Sequence, residues 1–262
     1  NLLTVTTGHT GTLNFLSAMS KSGPAGGGFL LDNADGTYIV NGNLTVTAGI
    51  RGVEIRNGSS GTVNFVSAGS SITGVTGISF RVNTSTATVD YNGNITHTSQ
   101  ANRGIEIIQG TGTISFDGII DIGNIITPMQ TAVSVFLSDT GATNLISFAN
   151  LNIFTGSPSG LGSPAFVSEI SGRIAVTIGN IRCDGNIGVG NHCFDVSNTT
   201  SNGVTFATFV SDHYDAGEAG GAIFLNNTPG TFTFEQNLGL TGLDTILIHA
   251  TNFGTLNFGT VT

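Results

Sequence analysis

The chain has a single lysine, Lys21, and no tryptophan, and only 9% of its 262 residues are charged, against about a quarter in an ordinary soluble domain. Six arginines, at 51, 56, 81, 103, 173 and 182, are spread along it, and the net charge is −9. Nucleic acids and anionic lipid surfaces are held by clustered cations, so neither is expected as a partner. No apolar run approaches the roughly 18 residues of a membrane-spanning helix, so no transmembrane segment is expected either. The opening Asn1-Leu2-Leu3-Thr4-Val5 lacks an initiator methionine, a basic stretch and a signal-type apolar core. The chain therefore reads as a mature or excised piece, with any export signal outside it.

What is abundant is Gly (39 residues), with Ser, Thr, Asn and Val. That composition disfavours helix and suits strands and tight corners. The positive mean hydropathy of +0.24 argues against disorder. A five-residue phrase recurs: Gly11-Thr12-Leu13-Asn14-Phe15, Gly61-Thr62-Val63-Asn64-Phe65, Gly112-Thr113-Ile114-Ser115-Phe116, Gly230-Thr231-Phe232-Thr233-Phe234 and Gly254-Thr255-Leu256-Asn257-Phe258. Degenerate copies end at Val40, Tyr91, Phe148, Val176 and Phe206. The ten end positions are 24–32 residues apart.

Within each phrase the third and fifth residues are apolar, the alternation of a strand with one buried face. A strand precedes the phrase (Val53-Glu54-Ile55, Ile105-Glu106-Ile107) and another follows it (Leu44-Thr45-Val46, Ile120-Asp121-Ile122). A unit this short has no room for a crossover helix. The spacing predicts an all-β, single-domain, right-handed parallel β-helix over 1–262, with about ten coils of 24–32 residues and three strands per coil. Leu13, Tyr38, Val63, Val89, Ile114, Ile146, Ile174, Val204, Phe232 and Leu256 are expected to form one inward row. Phe15 through Phe258 are expected to form the next. Outward, Thr45 and Thr47, Ser71 and Thr73, and Thr96 and Thr98 read as a stacked threonine array of the kind suited to ice, broken at Asp121.

Chemistry-bearing residues are densest between 182 and 218. Cys183 and Cys193 bracket a corner loop and would form a disulfide in an exported protein. Oxygen ligands from Asp212, Asp215 and Glu218 would suit calcium, though their spacing matches no EF-hand loop, and a solvated corner loop is the plainer reading. No other cofactor is expected. Polysaccharide-cleaving β-helix enzymes need converging carboxylates, and here Glu106 and Asp121 read as outward-facing residues that nothing marks as partners. The chain is therefore expected not to be an enzyme, with a polysaccharide-active enzyme or a phage tailspike-like shaft as lesser alternatives.

The segment Gly220-Gly221-Ala222-Ile223-Phe224-Leu225-Asn226-Asn227, followed by Phe234-Glu235-Gln236-Asn237, resembles the GGA(I/L/V) and FxxN repeats of polymorphic outer-membrane proteins and autotransporter passengers. The resemblance implies an extracellular or cell-surface β-helix and, more loosely, adhesion. Both ends read as uncapped, without the helix or polar cap that usually covers the unpaired backbone of a solenoid end. Leu2, Leu3, Val5, Leu13, Phe15, Ile246, Ile248, Leu256, Phe258 and Val261 are the residues expected at two uncapped, self-complementary ends. Head-to-tail contact between such ends does not close, and it makes a filament. The expected partner is thus a second copy of the chain, or else the remainder of a longer surface adhesin of which this is a segment.

Overall fold

In the computed structural model the described residues are 1–99, 102–123, 135–138, 143–156, 166–169, 173–186, 192–197, 204–212, 221–241 and 248–261, with side chains described for 1–99, 102–123 and 146–153. They form an all-β structure with no helix, a parallel β-solenoid. Its best-delineated part makes about five turns. The first comprises β1 (Leu3–Thr6), β2 (Thr12–Phe15) and β3 (Met19–Lys21), and the second β4 (Gly27–Asp32), β5 (Thr37–Val40) and β6 (Leu44–Val46). The third holds β7 (Arg51–Arg56), β8 (Thr62–Phe65) and β9 (Ser71–Thr73), and the fourth β10 (Phe80–Ser85), β11 (Thr88–Tyr91) and β12 (Asn94–His97). In the fifth, β13 (Ile105–Gly110) is followed by β14 (Ile114–Ile122), which pairs with both β11 and β12.

Merged strands continue beyond this point: β15 (Val135–Ser138), β16 (Thr143–Gly156), β17 (Phe166–Glu169), β18 (Arg173–Asn186), β19 (His192–Ser197), β20 (Val204–Asp212), β21 (Gly221–Thr241) and β22 (Ile248–Val261). Every pairing is parallel, and each strand adds to the one a turn earlier, as in Phe29↔Val53↔Phe80↔Ile105↔Val135. Neighbouring strands sit about 4.8 Å apart, so equivalent side chains touch from turn to turn.

The inward rows follow the phrase. Leu13, Tyr38, Val63, Val89 and Ile114 stack in register, as do Phe15, Val40, Phe65, Tyr91 and Phe116. The second row lacks an aromatic at Val40, and Phe29 from the first strand of that turn fills the space, edge-on to Phe15 at 6.1 Å and to Phe65 at 5.2 Å between ring centroids. Phe80 does the same between Tyr91 and Phe116, at 5.4 and 4.9 Å. The ring pairs are thus drawn from two strands of the turn, mostly in the edge-to-face geometry that the ring quadrupole favours.

Two sequence expectations need correction. Val176 was expected at the end of its phrase, but Ile146 pairs with Val176 and Phe148 with Ile178, which then leads to Phe206. A slip of two residues keeps every side chain on its face, so alternation alone could not detect it. The same holds for the threonine array: Thr96 lies beside Thr73, and Asn94 lies beside Ser71, so no regular threonine plane forms.

Glycine opens the phrase for a steric reason. At Gly61 (φ +84°) a Cβ would sit 2.2 Å from the Gly36 carbonyl oxygen on the previous turn, and at Gly112 a Cβ would sit 1.9 Å from that of Ala87. At a second corner, Thr7, Asn33, Asn57, Thr84 and Gln109 each follow a register-matched residue of the first strand of their turn, and all have positive φ, between 51° and 64°. Each of these five turns therefore bends there with a residue in the left-handed region, which Asn adopts at little cost.

Phe116→Ala is expected to lower the unfolding free energy by about 3–5 kcal/mol, since the ring is fully buried among other rings. Gly61→Ala should cost at least about 2 kcal/mol through the clash with a backbone carbonyl and the left-handed φ. Denaturant unfolding of each variant checks both; a loss below about 1 kcal/mol for Phe116→Ala would place that ring outside the core.

Candidate functional site

Two features of the first turns stand out. The first is the open turn itself. β1, β2 and β3 pair with β4, β5 and β6 respectively, and among the described residues their other edges carry no strand. The inward residues of this turn are correspondingly half-covered. Leu2, Leu3, Leu13, Phe15 and Met19 pack on the core but remain partly exposed, whereas Tyr38, Val40 and Leu44 one turn later are fully buried. Only Val5 counts as buried in the first turn. Leu16, just after the phrase, is 74% exposed. An unpaired strand edge above an uncovered apolar row is a template for another strand of the same kind.

Of the other residues expected at the ends, Ile248, Leu256, Phe258 and Val261 lie in β22. There Leu256 pairs with Phe232 and Phe258 with Phe234, the pairings expected for the first and second rows respectively. Their side chains, and Ile246 altogether, lie outside the described residues. So do Asp215, Glu218 and the side chain of Asp212, which ends β20. Cys183 is in β18 beside Ile153 and Ser211, and Cys193 is in β19, with both side chains outside the described set.

The second feature is a charged face that the sequence reading did not assemble. Arg51, Arg56, Arg81 and Arg103, far apart in the chain, come together over four carboxylate oxygens of Glu54 and Glu106 and the carboxylate of Asp32. Glu54, Arg81 and Glu106 are register neighbours on β7, β10 and β13. Glu54 accepts from Arg51 Nη1 at 2.5 Å, Arg81 Nη1 at 3.2 Å and Arg56 Nη1 at 3.4 Å. Glu106 accepts from Arg103 Nη1 at 2.6 Å and Arg81 Nε at 2.7 Å. Arg56 also donates two hydrogen bonds to Asp32, and these hold that carboxyl below its ordinary range.

The Glu54 and Glu106 side chains are only 6% and 8% exposed, while the four arginines are 21–34% exposed. Glu106 is therefore not the solvated outward residue that strand alternation implied. Carboxylates beneath and guanidiniums above form a connected network in which each buried charge is answered. A signal for it exists in the sequence: Arg51-Gly52-Val53-Glu54-Ile55 recurs as Arg103-Gly104-Ile105-Glu106-Ile107, with Arg81 at the intervening turn. Glycine is sterically required at Gly52, where a Cβ would lie 2.4 Å from the Ser79 carbonyl oxygen, while at Gly104 a Cβ would press on the Ile122 side chain at 2.7 Å.

One buried pair has the residue types of a nucleophile and its base. Ser79 Oγ lies 2.9 Å from His97 Nδ1, and His97 Nε2 lies 3.1 Å from the Ser99 carbonyl and 2.9 Å from that of Asn102. Two carbonyl acceptors place the proton on Nε2, so Nδ1 accepts from Ser79. Both side chains are fully buried, out of reach of a substrate, and the pair ties a corner together instead. Burial lowers the His97 pKa.

Among the described residues no three His, Cys, Asp or Glu side chains gather as a metal-binding group. No helix among them is long and apolar enough to cross a membrane, which says nothing of strands. No family model matches the sequence, and no curated protein or solved structure is significantly similar to it.

Because the folded state keeps His97 neutral while an unfolded histidine protonates near pH 6.5, stability should be complete above about pH 6.5 and fall as the pH drops towards the lower folded value. Denaturation midpoints between pH 8 and 5, compared with those of His97→Gln, check this. The variant should lose part of the decline, and identical pH dependences would contradict it.

Proposed function

We propose that this chain is a non-enzymatic extracellular structural protein, a right-handed β-helix of about ten coils with three strands each, whose copies stack head to tail into a filament. The observation that carries the reading is the match between the phrase of the first turn, where Leu13 and Phe15 pack on the core and stay partly exposed, and the phrase in β22. The phrase on that turn, Gly11-Thr12-Leu13-Asn14-Phe15, is identical to Gly254-Thr255-Leu256-Asn257-Phe258 in β22. Laying β22 of one copy on β2 of the next would put Leu on Leu, Asn on Asn and Phe on Phe, in the same parallel register that joins turns within the molecule. Within the molecule Asn14 lies in register with Ile39, and its Oδ1 accepts from Asn41 Nδ2 at 2.5 Å. The commitment of Glu54 and Glu106 to arginine favours a structural over a hydrolytic role for the described acids.

A second reading is favoured by the GGAIFLNN and FEQN phrases: a segment of a longer cell-surface adhesin, in which a preceding coil of the same chain covers the open edge. The two readings differ in what the purified chain does. The filament reading expects the 26.7 kDa chain to pellet and to show unbranched fibres by electron microscopy. Leu13→Asp should abolish them while the β-sheet circular dichroism remains, because the residue is only half-buried and lies on the terminal turn. Fibres unchanged by Leu13→Asp, or a wild-type chain that stays monomeric at high concentration, would overturn the filament reading, and the second outcome would favour the adhesin segment.

A further inference from the structure

We propose that the cavity beside Arg51 and Arg56 binds a small carboxylate of monosaccharide or amino-acid size. The cavity, of about 240 Å³, opens on the outer face of the second and third turns, where Arg51, Arg56 and Glu54 meet Ile50, Leu30 and the glycine run 26–28. Its lining includes the guanidiniums of Arg51 and Arg56, the carboxylate of Glu54 and the polar Asn1, on a chain whose net charge is −9; Asp32, outside the lining, takes two of the Arg56 hydrogen bonds. The carboxylate is the covered group and the guanidiniums are the accessible ones, so an incoming ligand meets donors first. Arg51 spends one N–H on Glu54 and Arg56 spends three on Asp32 and Glu54. A planar fork with donors to spare is suited to a second carboxylate.

The rest of the lining limits what carries that group. Ile50, 53% exposed, and Leu30 offer aliphatic contact to the ligand's body. The glycine run brings bare backbone to the cavity wall; at Gly28 a Cβ would lie 2.3 Å from the Gly52 carbonyl oxygen, so that position stays glycine because of the packing between turns. The volume falls below the usual range for drug-sized sites and matches a single sugar or amino-acid unit. This proposal does not rest on filament formation, since the charged side chains that line the cavity, Arg51, Glu54 and Arg56, all belong to the third turn.

The test is an NMR titration of the full chain with glucuronate and N-acetylalanine, each beside its uncharged counterpart, glucose and N-acetylalaninamide. The expected result is saturable shifts of the Gly26–Gly28 amides and the Arg51 side chain with at least one carboxylate, and none with its neutral counterpart. Preference for one acid over the other identifies the body as sugar or amino acid. Arg51→Gln should weaken binding at least about tenfold, and Arg51→Lys, which keeps the charge and loses the fork, should weaken it less. Arg103→Gln, in the same network but away from the cavity, should leave affinity unchanged. Equal shifts from charged and neutral compounds, no shifts up to about 50 mM, or equal losses from Arg51→Gln and Arg103→Gln would each overturn the proposal.

Discussion

Parallel, in-register pairing of each turn with the one before it is the constraint from which the remaining features follow. It satisfies the backbone of every interior strand without a crossover helix, and it forces like positions to lie over one another. A residue type that is tolerable once must therefore be tolerable in a column. Apolar residues gain from such a column, because each buried ring or branched chain covers its neighbours on both sides. Glycine is demanded wherever the carbonyl of the previous turn occupies the space of a Cβ, as at Gly61 and Gly112. Left-handed corners recur in a column for the same reason.

Charge is the residue property that stacks worst, and the face built on Glu54, Arg81 and Glu106 shows how this chain manages it. Signs alternate from turn to turn along one row, and arginines three residues upstream of each glutamate complete the neutralisation. Removing one member would leave a buried charge unanswered, so the network contributes more to register than to net stability. A slip of two residues would place Glu54 beside Asn83 or Ser79 and lose its pairing with Arg81. The apolar rows cannot supply that discrimination, since they are blind to an even slip.

That blindness also marks the boundary of what could be read from the sequence. The recurring glycine-threonine phrase and the period-two alternation were sufficient for the class of fold and for the inward rows through Phe116, because both are local patterns repeated at near-constant spacing. They failed at Val176, where a longer interval allowed two registers with the same inward face. They failed again at Thr96, where the interval from Thr73 is shorter by two and the even slip again leaves the outward face unchanged. The arginine face was not legible, because its partners are a full turn or more apart and each looks like an ordinary outward strand residue; only the repeated Arg-Gly-x-Glu-Ile words pointed to it. Ser79 and His97 carried no local signal at all, since their contact spans a corner.

The central claim is that rings from successive turns meet inside one continuous stack, and proton NMR of the aromatic side chains addresses it most directly. The account predicts through-space contacts linking Phe29 to Phe65, Phe65 to Tyr91, Tyr91 to Phe80 and Phe80 to Phe116, whose ring centroids lie 4.9–5.4 Å apart. Rings that contact only residues close in sequence, or that lie open to a soluble paramagnetic quencher, would contradict it.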